Sequence, residues 1–141
     1  MKKINRKARY DYEIKETIEA GIELTGSEVK AVKAGNVDLK GAHAKIVDGQ
    51  AYLINANIPG TDQAHDPTRT RRLLLHKDQI VSLDTKIKGK KLTLVPLSVY
   101  TTRGLVKLEI AVAKPKKKFE KRKKIKDRDI KRDIERELKD R

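Results

Sequence analysis

Residues 92–112 read Leu92-Thr93-Leu94-Val95-Pro96-Leu97-Ser98-Val99-Tyr100-Thr101-Thr102-Arg103-Gly104-Leu105-Val106-Lys107-Leu108-Glu109-Ile110-Ala111-Val112. The first half is a long β-rich run. The second sets Val106, Leu108, Ile110 and Val112 against Lys107 and Glu109, the period of a strand with one buried face. Arg103-Gly104 supplies the turn, so the stretch predicts an antiparallel hairpin. Upstream, Asp48-Gly49 separates residues 42–47 from 50–55 and predicts a second hairpin. The run Tyr52-Leu53-Ile54-Asn55-Ala56-Asn57-Ile58, closed by Pro59-Gly60, reads as a buried strand ending in a turn.

Helical signals are fewer. Ser27 to Ala34, entered at Thr25 or Ser27 and stopped by Gly35-Asn36, predicts one helix, and Lys77 to Ser82, after Leu73-Leu74-Leu75, predicts another. Between Tyr12 and Leu24, Ile14 and Ile18 suit a helix, whereas Ile18, Ile22 and Leu24 suit a bent strand with Gly21 at a bulge. Periodicity alone does not arbitrate. The count of short strands favours the strand. The fold class expected is mainly β: a small closed antiparallel barrel of the oligonucleotide-binding type, with two or three short helices and a basic C-terminal tail.

Composition points the same way. The 141 residues carry 35 Lys and Arg against 20 Asp and Glu, a formal charge of +15, with 37% hydrophobic residues and no Cys. That supports one modest core. The absence of Cys excludes disulfides, thiol nucleophiles, zinc fingers and iron–sulfur sites. Met1-Lys2-Lys3-Ile4-Asn5-Arg6-Lys7 lacks the apolar run of a secretory signal, and no stretch approaches the roughly 18 to 20 apolar residues of a membrane span. The expectation is a soluble, cytoplasmic protein without a membrane partner. A charge this large calls for a polyanionic partner, nucleic acid before lipid.

The charge is uneven. From Lys114 to Arg141 there are 15 Lys and Arg against 7 Asp and Glu. Between Lys114 and Lys124 only Pro115 and Phe119 are non-polar, too little apolar surface to offset the entropy of ordering. The expected division is a domain over 1–113 and a basic tail over 114–141, disordered when free. Farther on, Ile130, Ile134 and Leu138 recur every fourth residue, and acids precede bases in Asp127/Lys131, Asp129/Arg132, Asp133/Arg136 and Glu135/Lys139. This predicts a latent helix from about residue 125 that sets on binding, since a single short stripe is marginal alone in water.

No catalytic constellation is visible. His43, His65 and His76 are far apart without ligand spacing, and Ser27, Ser82 and Ser98 lie outside any nucleophile-elbow context. His65-Asp66 precedes Pro67 in what reads as a turn. Neither metal nor cofactor is implied. Binding residues are easier to find. Asn5-Arg6-Lys7-Ala8-Arg9-Tyr10-Asp11-Tyr12 interleaves polar and basic donors with aromatics, suiting phosphates and an unpaired base. Asp66-Pro67-Thr68-Arg69-Thr70-Arg71-Arg72 joins a turn to three guanidiniums suited to bidentate phosphate contacts. The first run reads equally as an exposed basic arm leading into a strand whose tyrosines pack the core, and the second as a charged loop.

Taken in order, these blocks resemble the small protein B (SsrA-binding protein) family of bacterial ribosome rescue. The resemblance rests on Asn5 to Tyr12, Glu19-Ala20-Gly21-Ile22-Glu23-Leu24, Gly26-Ser27-Glu28-Val29-Lys30, Ala34-Gly35-Asn36, Asn55-Ala56-Asn57-Ile58, Asp66 to Leu75, Leu97-Ser98-Val99-Tyr100, Val112 to Lys117 and Ile125-Lys126-Asp127-Arg128. It implies an adaptor, not an enzyme, that binds the tRNA-like domain of transfer-messenger RNA and accompanies it to stalled ribosomes. The implied partners are that RNA, the decoding centre and messenger-RNA channel of the small subunit, and elongation factor Tu through the charged RNA.

By matched position, the resemblance places Asn5, Lys7, Arg9, Tyr10, Tyr12, Glu19, Leu74 and His76 at the RNA. Tyr10 stands where relatives often have His, and His76 where some have Asn. Arg6, Lys30, Lys33, Arg69, Arg71, Lys114, Lys116 and Lys117 complete the candidate RNA-binding set. The candidate ribosome-binding tail is Lys118, Lys121, Arg122, Lys123, Lys124, Ile125, Lys126 and Arg128, with Ile130 where some relatives have Trp. The other readings are a structural ribosomal protein and a generic basic RNA binder.

Overall fold

The computed structural model describes residues 1–61 and 65–116. The elements are β1 (Lys2–Ile4), α1 (Arg6–Asp11), β2 (Tyr12–Ile22), α2 (Gly26–Lys33), β3 (His43–Val47), β4 (Gln50–Ile54), β5 (Arg71–Leu74), α3 (Lys77–Lys90), β6 (Thr93–Thr102) and β7 (Leu105–Pro115). Both hairpin turns put two consecutive residues at positive φ, Asp48 (51°) with Gly49 (76°) and Arg103 (51°) with Gly104 (77°). That is the type I′ geometry whose twist matches the strands it joins.

The sheet runs β1-β6-β3-β4-β5-β2-β7, and β6 also pairs with β7, so six strands close into an antiparallel ring with β1 added on β6. This is the mainly β, closed architecture expected, with three helices. The β3–β6 seam is held by one pair, Ala44 with Leu94. Inside the ring lie Leu53, Leu73, Leu94, Val99, Leu108, Ile110 and Val112, with Val32 of α2 and Leu83 of α3 packed against them. Leu94 and Val99 are an odd number of residues apart and would face opposite ways in a regular strand. The register shift between Pro96 and Ser98 turns both inward.

Outside the ring a second, smaller cluster gathers Val95, Leu97, Ala111 and Ala113 around Ala8 of α1, with Tyr12 and Ile14 beside it. The run 5–12, which the sequence left without a helical signal, forms the short helix α1 over Arg6–Asp11. Its one buried residue, Ala8, leaves no helical period to detect, and the helix is held by docking on the sheet. Tyr12 to Ile22 is the strand expected, but its irregularity falls between Ile14 and Glu16, not at Gly21. Gly21 instead faces Leu74, where an added Cβ would stand 3.2 Å from the leucine's own.

α2 starts as a capping box: Thr25 N donates to Glu28 Oε1 at 2.9 Å and Glu28 N to Thr25 Oγ1 at 3.3 Å. α3 runs two turns beyond the expected end at Ser82, because Leu83 and Ile87 carry its inner face past the polar residues around them. Residues 55–58 leave the strand: Asn55 takes φ 64°, and Asn57 bridges to Asp38. β7 extends to Pro115, two residues past the expected domain boundary at Ala113. The latent helix, Lys117 and the tail positions Lys118 to Arg128 fall outside the described residues.

Candidate nucleic-acid interface

The outer face of β2, β7 and β6 is where α1 lies and where most of the candidate residues meet. Strand register arranges the side chains there in rungs. Glu19 pairs with Glu109, and Glu109 with Ser98; two residues along, Gly21 pairs with Lys107, Lys107 with Tyr100, and Gly21 also with Leu74. Because side chains alternate along a strand, both rungs project to one side, the side of Ala111, Ala113 and α1.

The face carries a mixed set of groups. Arg9 of α1 reaches Glu109, Nη2 to Oε1 at 3.8 Å. The Tyr100 hydroxyl donates to Glu19 Oε2. Burial, the bond to Glu19 and the charges of Glu19 and Glu109 push that phenol up to about 12, so it stays protonated and donating. Leu74, half exposed, stands beside Gly21, and Leu105 is exposed across a groove of about 360 Å³ that Val29 and Val106 also line. Lys7, Asp11, Tyr12, His43 and Thr93 border a cleft of about 440 Å³ on the other side of α1. Arg6, Lys7 and Arg9 are exposed, and Tyr10 and Tyr12 half-buried. Lys116 closes the group, its Nζ donating to Arg9 O at 3.1 Å and its backbone N to Asp11 O at 2.9 Å, with Lys114 exposed nearby on β7.

Six candidates are placed differently. Asn5 is buried, and its side-chain amide donates to Pro96 O at 2.9 Å and Leu39 O at 3.3 Å, tying the start of α1 to β6. Arg71, expected as a phosphate contact, is fully buried: Nε donates to Glu28 Oε2 at 2.7 Å, Nη1 to Ala56 O and Arg69 O, and Nη2 to Glu28, Ile58 O and Pro67 O. All its donors are engaged inside the fold. Arg69, a third exposed, binds the same carboxylate through Nη2 at 2.5 Å. Lys30 and Lys33 are exposed on α2 and make no ion pair among the described residues. His76 is exposed at the start of α3, its backbone N donating to Gln79 Oε1 at 3.0 Å.

Glu28 was visible in the sequence only as a family block, yet it anchors this interior network. Burial alone would raise its carboxyl; bonds from Arg69, the Thr25 backbone and Arg71 outweigh that and hold it at about 2. Glu109 and Tyr100 joined the interface only once β2, β7 and β6 were in register. That pairing joins residues some 90 positions apart, and no local spacing announces it. The arrangement suits recognition: cations for phosphates, a carboxylate for base or ribose donors, and exposed leucines for apolar ring or sugar faces.

A closed antiparallel sheet with a basic helix laid on one face defines a small β-sheet RNA-binding protein. More narrowly, the chain belongs to the SmpB family, whose model, described as SmpB protein, matches residues 3–140. It is 51% identical over 139 residues to the SsrA-binding protein of Sulfurihydrogenibium sp., covering 96% of this chain and 91% of that one. It is 48% identical over 139 residues to the SsrA-binding protein of Streptococcus suis, covering 96% and 90%. A solved chain described as "tmRNA-SmpB: a journey to the center of the bacterial ribosome" is 46% identical with a TM-score of 0.66, over 83% of this chain and 85% of that one.

Proposed function

We propose that this chain binds the tRNA-like domain of transfer-messenger RNA and escorts it to stalled ribosomes in trans-translation. The observation that carries the reading is near-full-length similarity to SsrA-binding proteins, coupled to a face that joins the basic helix α1 to Glu19 and Leu74. On that face, Arg6, Lys7 and Arg9 serve phosphates, Tyr10 and Tyr12 offer ring faces, and Glu19 accepts from a base amino group or ribose hydroxyl. Leu74 adds an apolar contact, and His76 extends the face onto α3. Lys30 and Lys33 supply further phosphate contacts on α2. Lys114 and Lys116 lead the basic tail away from the same end of α1.

The tail, Lys117 to Arg128 with the acid-before-base helix pattern after it, enters the empty messenger-RNA channel beyond the decoding centre and sets as a helix there. An intact message fills that channel, so competition for one space discriminates stalled from translating ribosomes, with no bond made or broken by the protein. Elongation factor Tu joins through the charged RNA, and the assembly works in the cytoplasm.

The test is truncation after Lys116, which spares the backbone bond from Lys116 to Asp11. Binding to the tRNA-like domain should persist while tagging of incomplete peptides in a reconstituted translation system is lost. Tagging at the full rate by the truncated chain would show that the tail has no such role.

A further inference from the structure

The face just described contains two carboxylates set directly opposite one another. Glu19 on β2 and Glu109 on β7 are register partners, an arrangement in which like charges destabilise a sheet. Each has its own compensation. Glu109 is approached by Arg9 from α1, and Glu19 by the Tyr100 hydroxyl, which reaches across β7 from the neighbouring rung of β6. Tyr100 is partly buried while Glu19 is exposed, so the better-fixed group holds the freer one.

We propose that Tyr100 is a positioning residue for RNA recognition: its hydroxyl occupies one oxygen of Glu19 and turns the other outward to accept an N–H from an unpaired base. This rests on the reading that Glu19 meets RNA. A phenol hydroxyl has a single hydrogen to give, so Tyr100 serves Glu19 and leaves Glu109 to Arg9. Among the described residues, Tyr100 is the one hydrogen-bond partner of Glu19, which leaves Oε1 for a ligand. Because the phenol is pushed up to about 12, it remains a donor across the physiological range.

The ligand class follows from the acceptor. A carboxylate oxygen selects an amino or imino N–H, such as cytosine N4 or guanine N1 and N2, and repels a phosphate. On a chain of charge +15 this is the element of the face that reads a base and not merely charge. Pre-orienting one exposed carboxylate saves the ordering of one side chain on binding, worth about 3- to 10-fold in affinity.

The experiment compares full-length wild type, Tyr100→Phe, Glu19→Gln and the double variant for binding to the tRNA-like domain of transfer-messenger RNA over a salt series. Tyr100→Phe keeps the ring and removes only the hydroxyl. It should weaken binding about 3- to 10-fold with the salt slope unchanged, because no phosphate contact is lost. Glu19→Gln should weaken it at least as much, and Tyr100→Phe should then cost nothing further. Ultraviolet titration supplies a second readout: the tyrosine that titrates near 12 should return toward the ordinary range in Glu19→Gln.

If Glu19→Gln weakens binding while Tyr100→Phe leaves it untouched, the positioning role is overturned and the Glu19 reading stands. Losses that multiply in the double variant overturn it too, since Tyr100 would then act by another route. Unchanged binding by Glu19→Gln overturns both.

Discussion

Replacing Glu28 by Gln should destabilise the domain by about 3–5 kcal/mol, the cost of leaving a buried cation without its counter-charge. The structure gives the reason. Arg71 has no exposure, its Nε and Nη2 lie 2.7 and 2.5 Å from Glu28 Oε2, and Arg69 takes the other oxygen. A Gln amide can meet only part of this, and its NH₂ faces guanidinium donors. The ionisation of Glu28 gives an independent magnitude: a carboxyl held at about 2 against 4.5 unfolded contributes roughly 3 kcal/mol. A depressed carboxyl stabilises fully above the unfolded value, and that contribution is lost as pH falls from about 4.5 through 2. Urea unfolding followed by far-ultraviolet circular dichroism, at neutral pH and across this acid window, reads both effects. Wild-type stability should fall through the window, and the Gln variant should lose that part of the slope. A loss below about 1 kcal/mol at neutral pH, with the acid slope intact, would refute the reasoning.

Other substitutions probe other parts of the fold. Gly104→Ala meets no neighbour within 4 Å but forces a Cβ onto φ +77°, so it should cost about 1–2 kcal/mol in chemical denaturation through backbone strain alone. Leu53→Ala, at a side chain with no exposure inside the ring, should cost about 2–5 kcal/mol in the same assay. Lys7→Gln on the exposed side of α1 should weaken binding to all RNAs alike and reduce the salt slope by about one unit. A slope that stays put would remove Lys7 from the phosphate contacts.

What the sequence disclosed and what it hid separate along one line, the distance over which the signal acts. Asp48-Gly49 and Arg103-Gly104 announced both hairpins because the turn chemistry is local, and Thr25 or Ser27 marked the start of α2 for the same reason. The short helix α1 was hidden because Ala8 is its one buried residue and its stability comes from the sheet beneath it. The guanidiniums of 69–72 illustrate the harder ambiguity. Arg69 and Arg71 carry the composition of a phosphate-binding loop, but Thr25, which caps α2, and Glu28 within it, more than 40 positions away, complete an interior cluster with them. The outer face was half legible: Arg9, Glu19 and Leu74 were named singly, while Glu109 and Tyr100 required the cross-strand register.

The face centred on Glu19 should recognise one RNA in particular. The direct measurement is binding of the full-length protein to the tRNA-like domain of transfer-messenger RNA and to a charge-matched hairpin over a salt series. Non-specific phosphate contacts weaken steeply with salt, whereas specific binders keep their discrimination. A preference of about a hundredfold or more that survives at physiological salt is the result expected. Equal binding to both RNAs, lost together as salt rises, would contradict it and leave a generic basic RNA binder.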